Sequence, residues 1–178
     1  MDNNYIFQYW EAIQNGTVTV GKWIKTIYEI LVNGLKSGKW DFDEEKANKA
    51  INFIENFCHH SEGRNDLLKL ELWQKAIVSA IFGIMDKRTG YRQFREVFIV
   101  VARKNGKTLF AAAIAAYMAY IDGEYGAKVY FLAPKLDQAD LVYDAFYQIV
   151  QADDELDSIT KKLSLIHISE PTRPEPIS

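Results

Sequence analysis

Residues 97–108 read Val97-Phe98-Ile99-Val100-Val101-Ala102-Arg103-Lys104-Asn105-Gly106-Lys107-Thr108. An apolar, mostly β-branched run is followed by a short polar turn and then by Gly-Lys-Thr. Residues 109–121 continue as an Ala-rich run, which is typical of a helix. This order predicts a strand, a phosphate-binding loop and a helix, because the N–H groups and the dipole of a helix N-terminus attract phosphate.

The residue types in this loop fit a nucleoside triphosphate with bound Mg²⁺. Lys107 is expected to reach the β- and γ-phosphates, and the Thr108 hydroxyl is expected to ligate Mg²⁺. The common pattern G-x-x-x-x-G-K-[ST] places a glycine where this chain has Val101. Gly-Lys-Thr alone also describes an ordinary helix start with a solvated lysine. The strand before it and the small-residue helix after it favour the phosphate loop.

Composition indicates a soluble globular protein with one domain and an accessory segment. The chain has 178 residues, of which 48% are hydrophobic and 25% charged. A net charge of -3 gives no overall basic field for nucleic acid, although a local basic group lies between residues 87 and 107. The single cysteine, Cys58, cannot form an internal disulfide, and Cys58-His59-His60 lacks a second cluster at zinc spacing.

No targeting or membrane segment is expected. The N-terminus lacks the basic and then apolar pattern of a signal peptide. The longest apolar run, residues 109–121, is too short to span a bilayer.

Helical spacing of apolar residues predicts helices on both sides of the phosphate loop. Asn15-Gly16 ends the first of them, and Asp41 or Asp43 caps the third. A second short strand, residues 128–133, is stopped by Pro134. The predicted helices cover residues 5–14, 20–35, 43–58, 75–85, 109–121 and 136–151. The alternation of strand and helix after residue 94 favours parallel pairing with right-handed crossovers.

The C-terminal residues break this pattern. From Leu163 onward the chain carries three prolines and no usable periodicity. This stretch resembles the peptide translated from a short-read sequencing adapter, which would place the end of the natural reading frame near Lys162. The alternative is a natural disordered tail.

Several short motifs occur in a fixed order along the chain. They resemble the N-terminal ATPase region of tailed-phage terminase large subunits, over about residues 5–155. The resemblance is strongest to the group whose phosphate loop reads Ala-Arg-Lys-Asn-Gly-Lys-Ser/Thr, in which the first glycine is also absent. The motifs are Leu72-Trp73-Gln74, Ile81-Phe82-Gly83, Arg95-Glu96-Val97, residues 102–108, and Asp137-Gln138-Ala139.

The resemblance implies an ATP-driven motor that threads double-stranded viral DNA into a preformed capsid. Its expected partners are the portal protein, the small terminase subunit and further copies of itself in a homo-oligomeric ring. Its expected place is the host cytoplasm, at the procapsid portal, with no membrane. The implied fold class is α/β, an incomplete parallel sheet of the P-loop NTPase type with a helical N-terminal segment. The predicted domains are residues 1–66, a helical N-terminal segment; residues 67–160, a partial P-loop ATPase domain; and residues 163–178, a disordered and artefactual tail.

The resemblance also assigns site residues and the cofactors ATP and Mg²⁺. Arg103 and Lys107 are the expected catalytic residues, with Arg103 linked to the γ-phosphate. Gln74 is expected to bind adenine, because an amide can pair with both the N6 donor and the N7 acceptor of that base. The alternative for Gln74 is a solvated side chain at a helix start. Trp73 is expected in the core, and Asp137 as a helix cap. The predicted cofactor-binding residues are Gln74, Arg103, Lys104, Asn105, Gly106, Lys107 and Thr108, the last also holding Mg²⁺ through the nucleotide.

Hydrolysis needs a second carboxylate for Mg²⁺ and a base that orients water. In the family these lie at the end of a buried strand reading Asp-Glu, which does not follow here. Asp153-Asp154-Glu155 is interpreted as a solvated helix end. The family's nuclease domain is also absent from this sequence, so we expect a fragment that binds nucleotide and hydrolyses it poorly. An incomplete sheet should expose an apolar edge and favour aggregation. The alternatives are a helicase-type P-loop ATPase and a non-catalytic nucleotide-binding module.

Overall fold

The structure is a computed structural model that describes residues 4–60 and 66–160, without the side chain of Ile159. The predicted tail, residues 163–178, lies outside these residues. None of the described helices is long and apolar enough to span a bilayer. The elements in chain order are α1 (Tyr5–Gln14), α2 (Lys22–Lys36), β1 (Asp41–Phe42), α3 (Glu44–Phe57), α4 (Leu72–Gly83), β2 (Ile84–Met85), α5 (Lys107–Tyr120), α6 (Leu136–Ala152) and α7 (Asp154–Ile159).

Side-chain caps start several of these helices. Asn4 accepts the N–H of Ile6 at 3.0 Å and so begins α1. Asp43 accepts the N–H of Lys46 at 3.0 Å, which confirms the predicted cap of α3. These carboxylate and amide oxygens satisfy backbone donors that have no partner within the helix.

The apolar faces of the helices meet in two clusters that share α4. The larger cluster joins α3, α4, α5 and α6, and contains an edge-to-face contact of Phe82 with Tyr117 at 4.8 Å. The smaller cluster joins α1 and α2 to α4 and β2, and contains the pair Tyr9–Tyr28 at 4.7 Å. Both clusters contain residues from both sides of the predicted domain boundary between residues 66 and 67. The boundary itself stays a prediction.

The fourth helix differs from its predicted bounds of residues 75–85. It begins at Leu72 and ends at Gly83, and the next two residues leave it to pair antiparallel with β1. Gly83 permits this close approach, because a Cβ there would lie 2.6 Å from Cε2 of Phe42 and 2.9 Å from Cβ of Ala47. The change from helix to strand therefore depends on a contact with a residue about 40 positions away, which helical spacing does not reveal.

The predicted parallel sheet is not formed within residues 4–60 and 66–160. Residues 97–101 and 128–133 have no strand pairing, and the sheet observed in the described chain is the antiparallel pair β1–β2. Phe98 and Leu132 are each 93% exposed, and Val100 is 80% exposed. A strand needs a hydrogen-bonding neighbour, and the described chain places none beside either segment. The predicted apolar exposure is present.

Candidate nucleotide-binding site

The predicted phosphate loop is a turn followed by a helix. Residues 103–106 form the turn, and α5 begins at Lys107. Gly106 is the N-cap with φ 65° and ψ 20°, a left-handed conformation that glycine adopts without steric cost. Lys104 is also left-handed, with φ 67°. Two left-handed residues reverse the chain sharply and bring it into the helix start.

Asn105 holds the turn together from within. Its Nδ2 donates to the carbonyl of Ala102 at 3.3 Å and to that of Arg103 at 3.4 Å. Such side-chain bonds to nearby backbone carbonyls are a known use of Asn in turns. Asn105 therefore shapes the loop, which is a structural role in addition to the ligand contact predicted for it.

The first turn of α5 offers free backbone donors. Gly106 has no side chain, and no side chain of the described chain caps this helix. The Gly106 carbonyl accepts the N–H of Phe110 at 2.9 Å, so regular helical bonding begins one turn later. The N–H groups of the residues before Phe110 thus meet solvent or a ligand, and the helix dipole favours an anion there.

The side chains around these donors are positively charged and accessible. Arg103, Lys104 and Lys107 are exposed, and Thr108 is half-buried. None of the three cations forms an ion pair with a described carboxylate. The loop therefore combines open amides with unpaired cations, which is the chemistry that a polyphosphate requires.

Gln74 lies at the start of α4 and is 8% exposed. Its Oε1 accepts the N–H of Glu71 at 2.9 Å, which makes it one half of a capping box. The alternative of a fully solvated side chain is therefore wrong, whereas the position at a helix start is confirmed. The adenine contact stays a prediction.

Trp73 brings the start of α4 to the start of α5. Its ring lies 6.0 Å from that of Phe110, centroid to centroid, and it packs against the smaller core cluster. The packing role predicted for Trp73 is confirmed. Because Phe110 follows Lys107 by one turn, this contact links the element that carries Gln74 to the phosphate loop.

The fit to Mg²⁺ rests on one side chain. Thr108 provides a hydroxyl in the first turn of α5, as the phosphate-loop pattern requires. Residues 4–60 and 66–160 contain no group of three or more His, Cys, Asp or Glu that could hold a metal ion. The residues present fit a magnesium ion carried in with the phosphates, which Thr108 would help to hold and which would offset the phosphate charge.

Two acidic predictions have different outcomes. Asp137 is not the cap of α6: the cap position is Lys135, and Asp137 lies inside the first turn. Because Leu136 is already helical, Asp137 is past the position from which a side chain can cap, although its charge still complements the dipole. Asp153 lies at a helix end as predicted, where it also caps α7 through the N–H groups of Glu155 and Leu156, each at 3.0 Å.

Cys58, which begins the Cys-His-His stretch, is fully buried. Burial, together with the smaller effect of the nearby Asp153 charge, raises the pKa of its thiol to about 12. The thiol is therefore neutral at physiological pH and packs as a small apolar side chain in the larger core cluster.

Sequence reasoning missed a polar network beside Gln74. Glu55 on α3 binds the backbone of Leu70 and the ammonium of Lys75. These partners lie 15 and 20 residues from Glu55 in the sequence, so no local spacing rule pairs them. The one signal of this network in the sequence is the position of Glu55, a charged residue on the side of α3 that continues its apolar stripe.

Comparison with known proteins gives one family. The family model for the ATPase domain of the terminase large subunit matches residues 72–169, which is more than half of the chain. No curated protein and no solved structure matches this chain significantly. The matched range includes Gln74, the phosphate loop and α6.

Proposed function

The chain belongs to the family of terminase large subunit ATPase domains, and from this membership we propose that it is the nucleotide-binding part of a viral DNA-packaging motor. The observation that carries the proposal is the start of α5. There, uncapped backbone N–H groups follow two left-handed residues and are surrounded by exposed cations. This arrangement suits a polyphosphate such as the triphosphate of ATP.

Each loop residue has a role in this proposal. The amides of the first turn of α5 hold phosphate oxygens, and Lys107 neutralises the β- and γ-phosphates. Thr108 ligates the Mg²⁺ that arrives with ATP, and Mg²⁺ withdraws charge from the phosphates when bound. Arg103 contacts the γ-phosphate, and Asn105 keeps the turn closed around it. Gln74 binds the adenine.

We also propose that motor activity requires more chain than these residues provide. Residues 97–101 and 128–133 are mostly apolar, and Phe98, Val100, Tyr130 and Leu132 are exposed, with no strand neighbour in the described part of the protein. Apolar runs of this type are stable when buried on both faces of a parallel sheet. Further strands would cover them and would supply the second carboxylate and the base for hydrolysis. Alone, the chain should bind ATP and turn it over slowly.

The proposed partners are inferred from the family and not from a binding surface on this structure. In the longer protein they are double-stranded viral DNA, the portal protein, the small terminase subunit and neighbouring copies in a ring. ATP-driven translocation of DNA at the procapsid portal in the host cytoplasm is the corresponding activity. The net charge of -3 means that DNA contact would depend on local basic groups rather than on an overall field.

Replacing Lys107 with Ala tests the proposal. We expect ATP affinity, measured by isothermal titration calorimetry with Mg²⁺, to fall at least about 100-fold, because a charge-assisted contact to two phosphates is lost. Lys25→Ala is the matched control, since Lys25 is an exposed lysine on α2, outside the matched range. Unchanged ATP affinity in Lys107→Ala would overturn the assignment of the phosphate loop.

A further inference from the structure

The carboxylate of Glu55 holds two residues that flank the start of α4. Its Oε1 accepts the N–H of Leu70 at 2.9 Å, and its Oε2 lies 3.0 Å from Nζ of Lys75. Glu71 and Gln74 lie between these two points in the sequence. One side chain of α3 therefore fixes the turn that carries Gln74 from both sides.

The surroundings make this contact stronger than an ordinary surface ion pair. The side chains of Glu55 and Lys75 are 17% and 21% exposed, so water screens them less than it would a fully exposed pair. The Lys75 ammonium also lies 5.3 Å from the ring centre of Tyr5, and Lys69 donates to the Glu55 carbonyl at 3.3 Å. These contacts hold the end of α3 against the start of α4.

The orientation of the Gln74 amide depends on this turn. A backbone N–H can only donate, so the amide oxygen of Gln74 must face Glu71, and Nε2 must face away from it. Nε2 has no hydrogen-bond partner among the described residues. The amide therefore offers two free donors and the second lone pair of its oxygen, in an orientation set by the Glu71 N–H.

We propose that Glu55 is a positioning residue for recognition of the adenine base. It anchors residues 70–75, so that Glu71 orients the Gln74 amide before ATP arrives. Nε2 can then donate to N7 of adenine while Oε1 accepts from N6. Glu55 itself contacts no ligand. The inference rests on the proposed function, and in particular on a contact between Gln74 and the base.

The test compares ATP with inorganic tripolyphosphate, which has no base. Both are titrated into the full chain with Mg²⁺ by calorimetry. Glu55→Ala should weaken ATP binding about tenfold and change tripolyphosphate binding less than about twofold, because two hydrogen bonds to the base become misaligned. Glu55→Gln keeps an oxygen for the Leu70 N–H but loses the charge opposite Lys75, so its loss should be about threefold. This second variant keeps the test decisive if Glu55→Ala fails to fold.

Asp43→Ala is the control on the same helix. Asp43 caps α3 and pairs with Lys46 at 3.3 Å, but forms no described hydrogen bond or ion pair with residues 70–75. We expect it to lower the unfolding midpoint in urea and to leave the preference for ATP over tripolyphosphate unchanged. If Asp43→Ala lowers that preference as much as Glu55→Ala does, the effect is general destabilisation and the positioning role is overturned.

Gln74→Ala distinguishes a failure of the positioning role of Glu55 from a failure of the adenine contact of Gln74. If it lowers the preference for ATP and the Glu55 variants do not, positioning by Glu55 is overturned and the contact of Gln74 with adenine stands. If Gln74→Ala leaves the preference unchanged, the adenine contact and the positioning role both fail. The phosphate loop is judged separately, by the loss of both ligands in Lys107→Ala.

Discussion

At the scale of single residues, the backbone of Lys104 carries a steric cost. Its φ of 67° places an L-residue in the left-handed region, which costs roughly 1–2 kcal/mol. Gly106, two positions on, adopts nearly the same φ without that cost. Strain of this kind is often found where a loop binds a ligand. The chain thus carries a side chain at residue 104 despite this conformation, in agreement with a role for its exposed ammonium.

Replacing Lys104 with Gly and, separately, with Ala isolates the backbone contribution. Both changes remove the ammonium, but only Gly removes the Cβ. We expect the free energy of unfolding of Lys104→Gly to exceed that of Lys104→Ala by about 1 kcal/mol. Urea unfolding followed by tryptophan fluorescence gives the difference. An Ala variant at least as stable as the Gly variant would mean that Lys104 is not left-handed in solution.

The local sequence was sufficient to predict the turn of residues 103–106, but not the contacts between helices around Gln74. The polar turn and the helix that follows it could be predicted from neighbouring residues, because a turn is set by the conformations that its own residues allow. Glu55, which binds Leu70 and Lys75 on either side of Gln74, is distant from both of them in the sequence. Contacts of that kind come from packing of α3 on α4, and no spacing pattern encodes them.

At the scale of elements, Gly83 marks the change from α4 to β2. The space beside it is filled by Phe42 and by Ala47 of α3, the nearest atom lying 2.6 Å from an ideal Cβ. We expect Gly83→Ala to lower the free energy of unfolding by about 1–3 kcal/mol through overpacking. The φ of Gly83 is not in the left-handed region, so backbone strain adds nothing to this cost.

Gly21→Ala is the comparison for this prediction. Gly21 precedes α2, and nothing lies within 4 Å of its ideal Cβ. We expect it to cost less than about 1 kcal/mol in the same urea experiment, since only the cap preference changes. Equal losses in the two variants would show that the fit of Phe42 against Gly83 is not the cause.

Six of the seven described helices could be predicted, because their signals lie within each element; α7 was not predicted. Apolar spacing and caps such as Asp43 belong to the segment that folds, and the observed bounds agree within a few residues. The sheet could not be predicted in this way, because a strand forms only beside another strand with which it exchanges hydrogen bonds. The apolar runs of residues 97–101 and 128–133 indicate that both faces need cover, but not which chain provides it. The antiparallel pair β1–β2 has two residues in each strand, which is too few to show the alternation of apolar and polar residues that predicts a strand.

At the scale of the whole molecule, the unpaired segments expose several large apolar side chains, as α2 also does. Phe98, Val100, Tyr130 and Leu132 are each more than 70% exposed, and two of them are at 93%. A soluble protein seldom leaves so many large apolar side chains open on neighbouring stretches of chain without a partner for them. Unpaired backbone in the same segments adds N–H and C=O groups that can join another chain.

Replacing Phe98 and Leu132 with Lys tests whether these segments drive self-association. We expect the unmodified chain to associate as its concentration rises, and the double variant to remain monomeric, by size-exclusion chromatography with light scattering. The free energy of unfolding should change by less than about 0.5 kcal/mol, because both side chains are exposed. Tyr125→Lys, an equally exposed position outside the two segments, should leave the association unchanged. If it suppresses association as well, the unpaired segments are not the cause.

In a longer protein with strands over residues 97–101 and 128–133, the same two lysines would be buried and would strongly destabilise the fold. A double variant that is harmless in this chain and disruptive in a longer one would therefore identify the two segments as the inside of a larger sheet.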